Sequence, residues 1–241
     1  MKKYLSLILA LVMILSISGT SHAAETKGLQ SESSDYQEYI QLLNVGSIDE
    51  EISYEYWKEL KEYSEQLEKE LESAAVEEKE RIAPSTGYSM KAGDVFITNG
   101  TIASGITGHA GIAISSTEIL HIEGIGKKPN VITLTEWNRK YTTDGNWTKV
   151  YRHSEFNVGY LAAEWTEINY KEKNAQYVIN TDLASTNKTY CSKIVWQAYY
   201  YGPAMQYGSD VHYATGGIVG VVLPYELPTK IPGLSLVKVY E

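Results

Sequence analysis

The chain has 241 residues, 43% of them hydrophobic, and a formal net charge of -9. That length buries the core of one medium domain with additions. The acidic balance, with no basic stripe and no nucleic-acid motif, excludes a nucleic-acid partner. A single cysteine, Cys191, rules out an internal disulfide, and no paired-cysteine or His-Glu-x-x-His spacing points to zinc. Twenty tyrosines against two phenylalanines suit half-wet surfaces, since the ring buries while the hydroxyl needs a partner.

Residues 1–23 read as a signal peptide. Lys2 and Lys3 give a positive start, residues 5–17 form an apolar run, and Ser21-His22-Ala23 supplies small residues for cleavage after Ala23. The alternative is a retained anchor. The run is short for a membrane span, so no stable span is expected in the mature chain, which is placed outside the cell or in its envelope.

Residues 24–84 form an acidic helical extension. Residues 24–83 carry 17 acidic and 6 basic side chains, whereas residues 84–241 carry 13 of each, so a boundary is expected near Ala83-Pro84. Ser53 suits a helix cap, with Glu55 in the first turn. Trp57, Leu60, Leu67, Leu71 and Ala74 make one apolar stripe, with Glu65/Lys69 and Glu77/Arg81 as pairs four apart. The stripe implies packing on the main domain. A removable lid over the site is the sharper alternative.

Residues 85–241 show short strands and then helices. Strands are expected over 94–98, 110–115, 118–123, 130–133 and 147–152, the second and third as a hairpin. Helical spacing covers 158–179, with Leu161, Trp165, Ile168 and Tyr177 inward. A second helix starts near Tyr190 and stops at Gly202-Pro203. Strands over 218–223 and 236–240 close the chain. Such segregated runs indicate an α+β domain.

Cys191 opens the second helix, where free N–H groups and the dipole stabilise a thiolate and can hold an oxyanion. An unpaired thiol in an exported chain is either a nucleophile or a small buried residue. A nucleophile needs a histidine base. His109, flanked by Gly108 and Gly111 at a strand mouth, is preferred over His153 and His212. With an odd hairpin loop, Glu123 is expected opposite Gly111 and diagonal to His109, with His121 facing Ala113. Glu123 then orients the base.

Several stretches together resemble the permuted papain-like hydrolases of the NlpC superfamily, the YiiX/YebB-like branch. They are Gly93-Asp94-Val95, Thr107-Gly108-His109-Ala110-Gly111-Ile112, Ile122-Glu123, and Tyr190-Cys191-Ser192-Lys193-Ile194-Val195-Trp196 with Tyr199. The resemblance spans about residues 88–225. It implies a small, mostly antiparallel sheet packed on the cysteine helix, a Cys191 nucleophile, a His109 base and Glu123 as third residue, with no metal and no cofactor. The implied activity is a cysteine amidase or endopeptidase cleaving cell-wall (peptidoglycan) stem peptides or small peptides. Some permuted relatives act on lipids as acyl hydrolases or acyltransferases, and a catalytically inactive binding module is the third reading. An apolar channel beside the cysteine favours lipid; a polar groove with a charged partner favours peptide.

Overall fold

The start of the long acidic helix follows from its first residues. In a computed structural model describing residues 34–81, 87–103 and 106–241, Ser53 Oγ accepts the Tyr56 N–H at 3.2 Å, and helix α1 runs Tyr54–Arg81. The expected signal peptide, Ile82 and the Ala83-Pro84 boundary lie outside the described residues, as do the side chains of Ala74, Glu77 and Arg81. The chain forms two units, 1–40 and 41–241. Of the first, residues 34–40 are described, and they are helical. All that follows concerns the second.

Its centre is a six-stranded sheet in the order β4-β3-β2-β1-β5-β8, with every neighbouring pair antiparallel. The strands are β1 Val95–Ala103, β2 Ile106–Ala113, β3 Ile119–His121, β4 Asn130–Ile132, β5 Thr148–His153 and β8 Leu234–Tyr240. Two short parallel strands, β6 Gln176–Tyr177 and β7 Lys188–Thr189, pair separately. Helices α2 Leu134–Tyr141, α3 Phe156–Tyr170, α4 Cys191–Tyr207 and α5 Leu227–Lys230 complete the α+β fold, with a 3-10 turn at Pro224–Glu226.

Strand alternation divides the core. Phe96, Ala113, Ile119 and Val150 share one cluster with Trp137 and Tyr141 of α2. Val95, Ile97, Ile112 and Leu120 alternate with them and are fully buried on the other side. Helix α4 packs on β2 and along α3. Tyr199 Oη donates to Gly93 O at 2.6 Å. Gly93, at φ 89, comes so near α3 that an added Cβ would stand 2.4 Å from Gly159 Cα. Next to it, buried Asp94 takes both Arg152 Nε and Nη2 at 2.6 Å, plus the Tyr88 hydroxyl. The Gly93-Asp94 motif is therefore a structural joint.

Helix α1 lies against β2 and the 3-10 turn. Trp57, Leu60 and Ser64 are buried, and Ser64 Oγ donates to Thr107 O at 3.1 Å. Near its far end Leu71 O accepts from Lys149 Nζ, and Glu72 Oε1 accepts the Trp147 indole N–H at 3.2 Å.

Three expectations need correction, and one helix was not expected. The helix expected over 158–179 ends at Tyr170, where Glu172 takes a positive φ of 60 and the chain turns into β6. Tyr177 is buried in that strand, and Ile168 is exposed. The helix from Tyr190 runs through Gly202-Pro203 to Tyr207. Proline removes the donor that would serve the Tyr199 carbonyl four residues back, and Tyr213 N–H serves it instead at 3.1 Å. Residues 218–223 form only a single bridge, Asp182 to Val219, because Gly216 and Gly220 adopt positive φ. Helix α2 went unpredicted, although Thr133 and Glu136 form a full capping box at its start.

Candidate active site

Cys191 is the first residue of α4, and Tyr190 provides no side-chain cap. The first N–H groups of the helix therefore stay available at the sulfur. Strand β3 stops at His121, so among the described strands Ala110 has no partner on that side of β2. Cys191 lies against this edge. Burial pushes its thiol above the ordinary value, opposed by the backbone N–H groups of Ala110 and Ser192. The helix-start position is as expected, but desolvation outweighs the dipole, so the resting group is a thiol.

His109 precedes Ala110 on β2 and is buried. Its ring stacks on Trp137, centroids 5.5 Å apart, and touches Tyr141 at 4.9 Å. The hairpin register decides its partner. Ile112 pairs with Leu120, Ala113 with Ile119, and Ile114 N–H donates to Glu118 O, leaving the loop Ser115-Ser116-Thr117. The loop is odd, as required, but the ladder is offset by two residues from the expected one. His121, not Glu123, comes opposite Gly111 and diagonal to His109.

The outcome is a hydrogen bond of 2.9 Å between His109 Nε2 and His121 Nδ1. Gly111, between them, makes room for the Trp137 ring on which His109 stacks, since an added Cβ would stand 2.7 Å from that ring. Glu123 instead forms an ion pair with Lys140 at the protein surface. It acts on His121 only through its charge, opposing the effect of burial. The expectation that Glu123 bonds to the base is thus replaced by His121. The expected register sets His121 opposite Ala113, one same-face step along the strand from where it lies.

Both rings are held neutral. Burial first, then repulsion from a second imidazole and from Lys140 nearby, puts His109 well below the usual imidazole value. Burial brings His121 down to about 4. His109 Nδ1 has no hydrogen-bond partner. It is the nitrogen free to accept a proton.

Beside the sulfur lies a narrow apolar cleft that encloses about 20 Å³, room for about one water, and opens to solvent. Its walls are Ile106, Tyr177, Ile179 and the 221–224 segment, and no charged side chain lines it. The wall segment is clamped to the start of α4 by two bonds. Ser192 Oγ donates to Val222 O at 2.7 Å, and Val222 N–H donates to Tyr190 Oη at 3.1 Å. Tyr56 of α1 accepts the Val221 N–H from outside.

The other two histidines among the described residues, His153 and His212, are structural. His153 Nδ1 accepts the Glu155 N–H at 3.0 Å, and its Nε2 meets Pro232 O at 3.0 Å. His212 Nδ1 is 2.7 Å from Tyr200 O, and its ring stacks on Tyr200 at 3.8 Å. Among the described residues no group of three or more His, Cys, Asp or Glu is placed to hold a metal ion. Lys193, one position past Ser192, is also buried, and its ammonium binds Asn180 Oδ1 at 3.1 Å and Lys188 O at 2.7 Å, tying the 180–188 loop to α4.

Comparison with known proteins assigns the chain to a family. It belongs to the lipoprotein N-acylation protein LnsA-like family, whose model matches residues 68–220. A 30.3 kDa uncharacterised protein of Bacillus thuringiensis is 37% identical over 165 residues, 64% of this chain. The chain spans 59% of that relative's length. Among solved structures, the metalloprotein YiiX (DUF1105) of Escherichia coli O157:H7 is similar over 64% of this chain and 99% of its own, at 16% identity and a TM-score of 0.44.

Proposed function

We propose that this protein is an exported acyl hydrolase or acyltransferase that carries a lipid-derived acyl group as a thioester on Cys191. The observation that carries this reading is the uncharged, mostly apolar lining of the open cleft beside the sulfur. A cell-wall stem peptide brings carboxylates and amines that need charged partners in a desolvated site. An acyl chain needs only apolar walls, and Ile106, Ile179, Val221, Val222 and Leu223 supply them. Membership of a family described by lipoprotein N-acylation supports the same choice. This reading takes the lipid alternative in place of the peptidoglycan amidase that the resemblance first implied. The signal-like residues 1–23 support export.

The chemistry follows from the neutral pair. At neutral pH the resting site holds a thiol and an uncharged imidazole, so proton transfer accompanies attack. His109 Nδ1 takes the thiol proton as the sulfur adds to the acyl carbonyl carbon. The free N–H groups at the start of α4 hold the oxyanion. The His109 imidazolium, steadied by His121, returns the proton to the departing alcohol, whose bond to the acyl carbon breaks. Water or an acceptor amine then adds to the thioester, with His109 taking its proton and the Cys191 thiol re-forming.

The cavity gives the test. Val221→Phe, which fills it without touching the backbone clamp at Val222, is expected to lower kcat/KM for long-chain acyl esters. Acetyl-ester turnover should stay within about threefold. Each methylene left unburied forfeits about 0.8 kcal/mol, so losing two costs more than tenfold. An equal loss on both esters would mean the cavity does not hold the acyl chain.

A further inference from the structure

Among the described residues the exposed Val, Ile and Leu side chains are Val45, Ile125, Ile168, Ile218 and Val219. A single exposed aliphatic needs no explanation, but a group of them in one place does. Ile168 lies on α3, whereas the others sit in loops that border the cleft beside Cys191. The cleft adjoins an open groove of about 610 Å³, and Tyr177 lines both. Val45 and Ile125 line that groove together with Lys127 and Lys128. Gly124 and Gly126, both at positive φ, turn the chain so that Ile125 stands out between them. Past the cleft, the 216–220 loop runs directly into the wall at Val221. It is braced by Leu183 N–H to Ile218 O at 2.9 Å and by Gly220 N–H to Thr181 O at 2.8 Å. With its backbone held, Val219 stays 76% exposed. One stretch of chain orders the three features. Residues 174–178 line the groove, Tyr177 and Ile179 line the cleft, and residues 181–183 hold the loop.

The lysines add a sign to this face. Lys128 Nζ donates to Asn174 Oδ1 at 2.6 Å and keeps its other donors. Among the described residues neither Lys127 nor Lys128 forms an ion pair with a carboxylate. The acids nearby are already engaged. Glu123 pairs with Lys140 and Asp49 with Lys188. Glu51 accepts the Thr181 N–H, and Asp182 accepts those of Ala184 and Ser185. Two cations without an anion thus stand beside exposed aliphatic side chains. The cleft itself encloses room for about one water. A long acyl chain must therefore lie along its open side, where these loops are.

We propose that this face docks on an anionic lipid bilayer, with Val45, Ile125, Ile218 and Val219 entering the headgroup layer and Lys127 and Lys128 taking lipid phosphates. Separate loop tips suit a fluid bilayer, which accepts each where it stands, whereas a folded protein partner needs a continuous, complementary patch. Docked in this way, the open side of the cleft meets the lipid, and an acyl ester reaches Cys191 without crossing water. That use of the face rests on the thioester reading; the docking itself does not.

The test is flotation of the purified mature chain, which leaves out the apolar run of residues 5–17, with vesicles of phosphatidylglycerol mixed with phosphatidylcholine. Wild type is expected to bind at low salt and to weaken as salt rises. Lys127→Gln with Lys128→Gln should weaken binding about 30-fold, since each lysine near an anionic surface is worth about fivefold. Ile125→Ser with Val219→Ser should weaken it at least about tenfold and leave the salt dependence in place. These positions are exposed, so both variants should turn over a water-soluble acetyl ester within about twofold of wild type. An environment-sensitive dye on Val219→Cys, in a Cys191→Ser background, should shift to the blue when vesicles are added. Wild type that stays unbound would overturn the proposal. Binding that both double variants leave unchanged, or a bound protein whose dye does not shift, would overturn it too. If wild type binds as stated but turns over no acyl ester, the docking face holds and the thioester reading falls. If soluble esters are turned over but no vesicle is bound, the thioester reading holds and the docking face falls.

Discussion

A buried histidine that stays neutral records its environment in the pH dependence of folding. His121 titrates near 4 in the folded chain, against 6.5 for an exposed imidazole, and His109 shifts the same way. The unfolded chain therefore binds more protons between these values. Stability from the pair is complete above pH 6.5 and lost as the pH falls towards 4. For His121 alone the shift corresponds to about 3 kcal/mol. Urea unfolding of wild type and His121→Asn from pH 7 to 4.5 should show a smaller decline in the variant. Parallel declines would mean the His121 ring is not held neutral by burial. At this scale the placement of Cys191 at a helix start and of His109 on a strand was legible in sequence, because both are local signals. The third residue was not. It depends on which rung of the β2–β3 ladder closes the hairpin, and a shift of two residues exchanges Glu123 for His121 without changing either strand's face.

Among the elements, the junction of α3 and α4 shows why punctuation residues mislead. Gly202-Pro203 reads as a helix stop, yet the glycine is there for contact. A Cβ at Gly202 would stand 2.6 Å from Leu161 O and 2.8 Å from Ala162 Cα. The Tyr199 carbonyl that Pro203 leaves without a donor finds one far along the chain, at Tyr213, which is a tertiary solution and invisible in a local pattern. Gly202→Ala is expected to destabilise the protein by about 1–3 kcal/mol by overpacking, read as a lower urea midpoint. A midpoint equal to or above that of wild type, as helix propensity alone would give, would show that the helices separate freely there. Helix α2 is the reverse case. Its signal, Thr133-x-x-Glu136 ahead of Trp137 and Tyr141, is in the sequence, but at eight residues it is too short to show a helical period.

For the whole molecule, the acidic block is part of the same unit as the sheet from residue 41 onward. Its charge made it look separable, but its buried side chains tie it down. Ile52 and Trp57 are fully buried, Ser64 bonds to β2, and Tyr56 supports the wall of the cavity at Val221. Composition shows where charge lies and not what an apolar stripe covers. Trp57→Ala is expected to cost about 3–5 kcal/mol, and removing residues 24–81 should give insoluble or unfolded protein. A soluble truncated chain with raised activity would instead make α1 a lid.

The central claim is that Cys191 carries an acyl group, and intact-mass spectrometry tests it most directly. The purified mature chain would be mixed with vesicles of long-chain phospholipid, quenched in acid and weighed. A mass increase of one fatty acyl group, removed by neutral hydroxylamine, absent in Cys191→Ala and strongly reduced in His109→Ala, is the predicted result. An unmodified Cys191, with fatty acid nevertheless released at the same rate by Cys191→Ala, would contradict it.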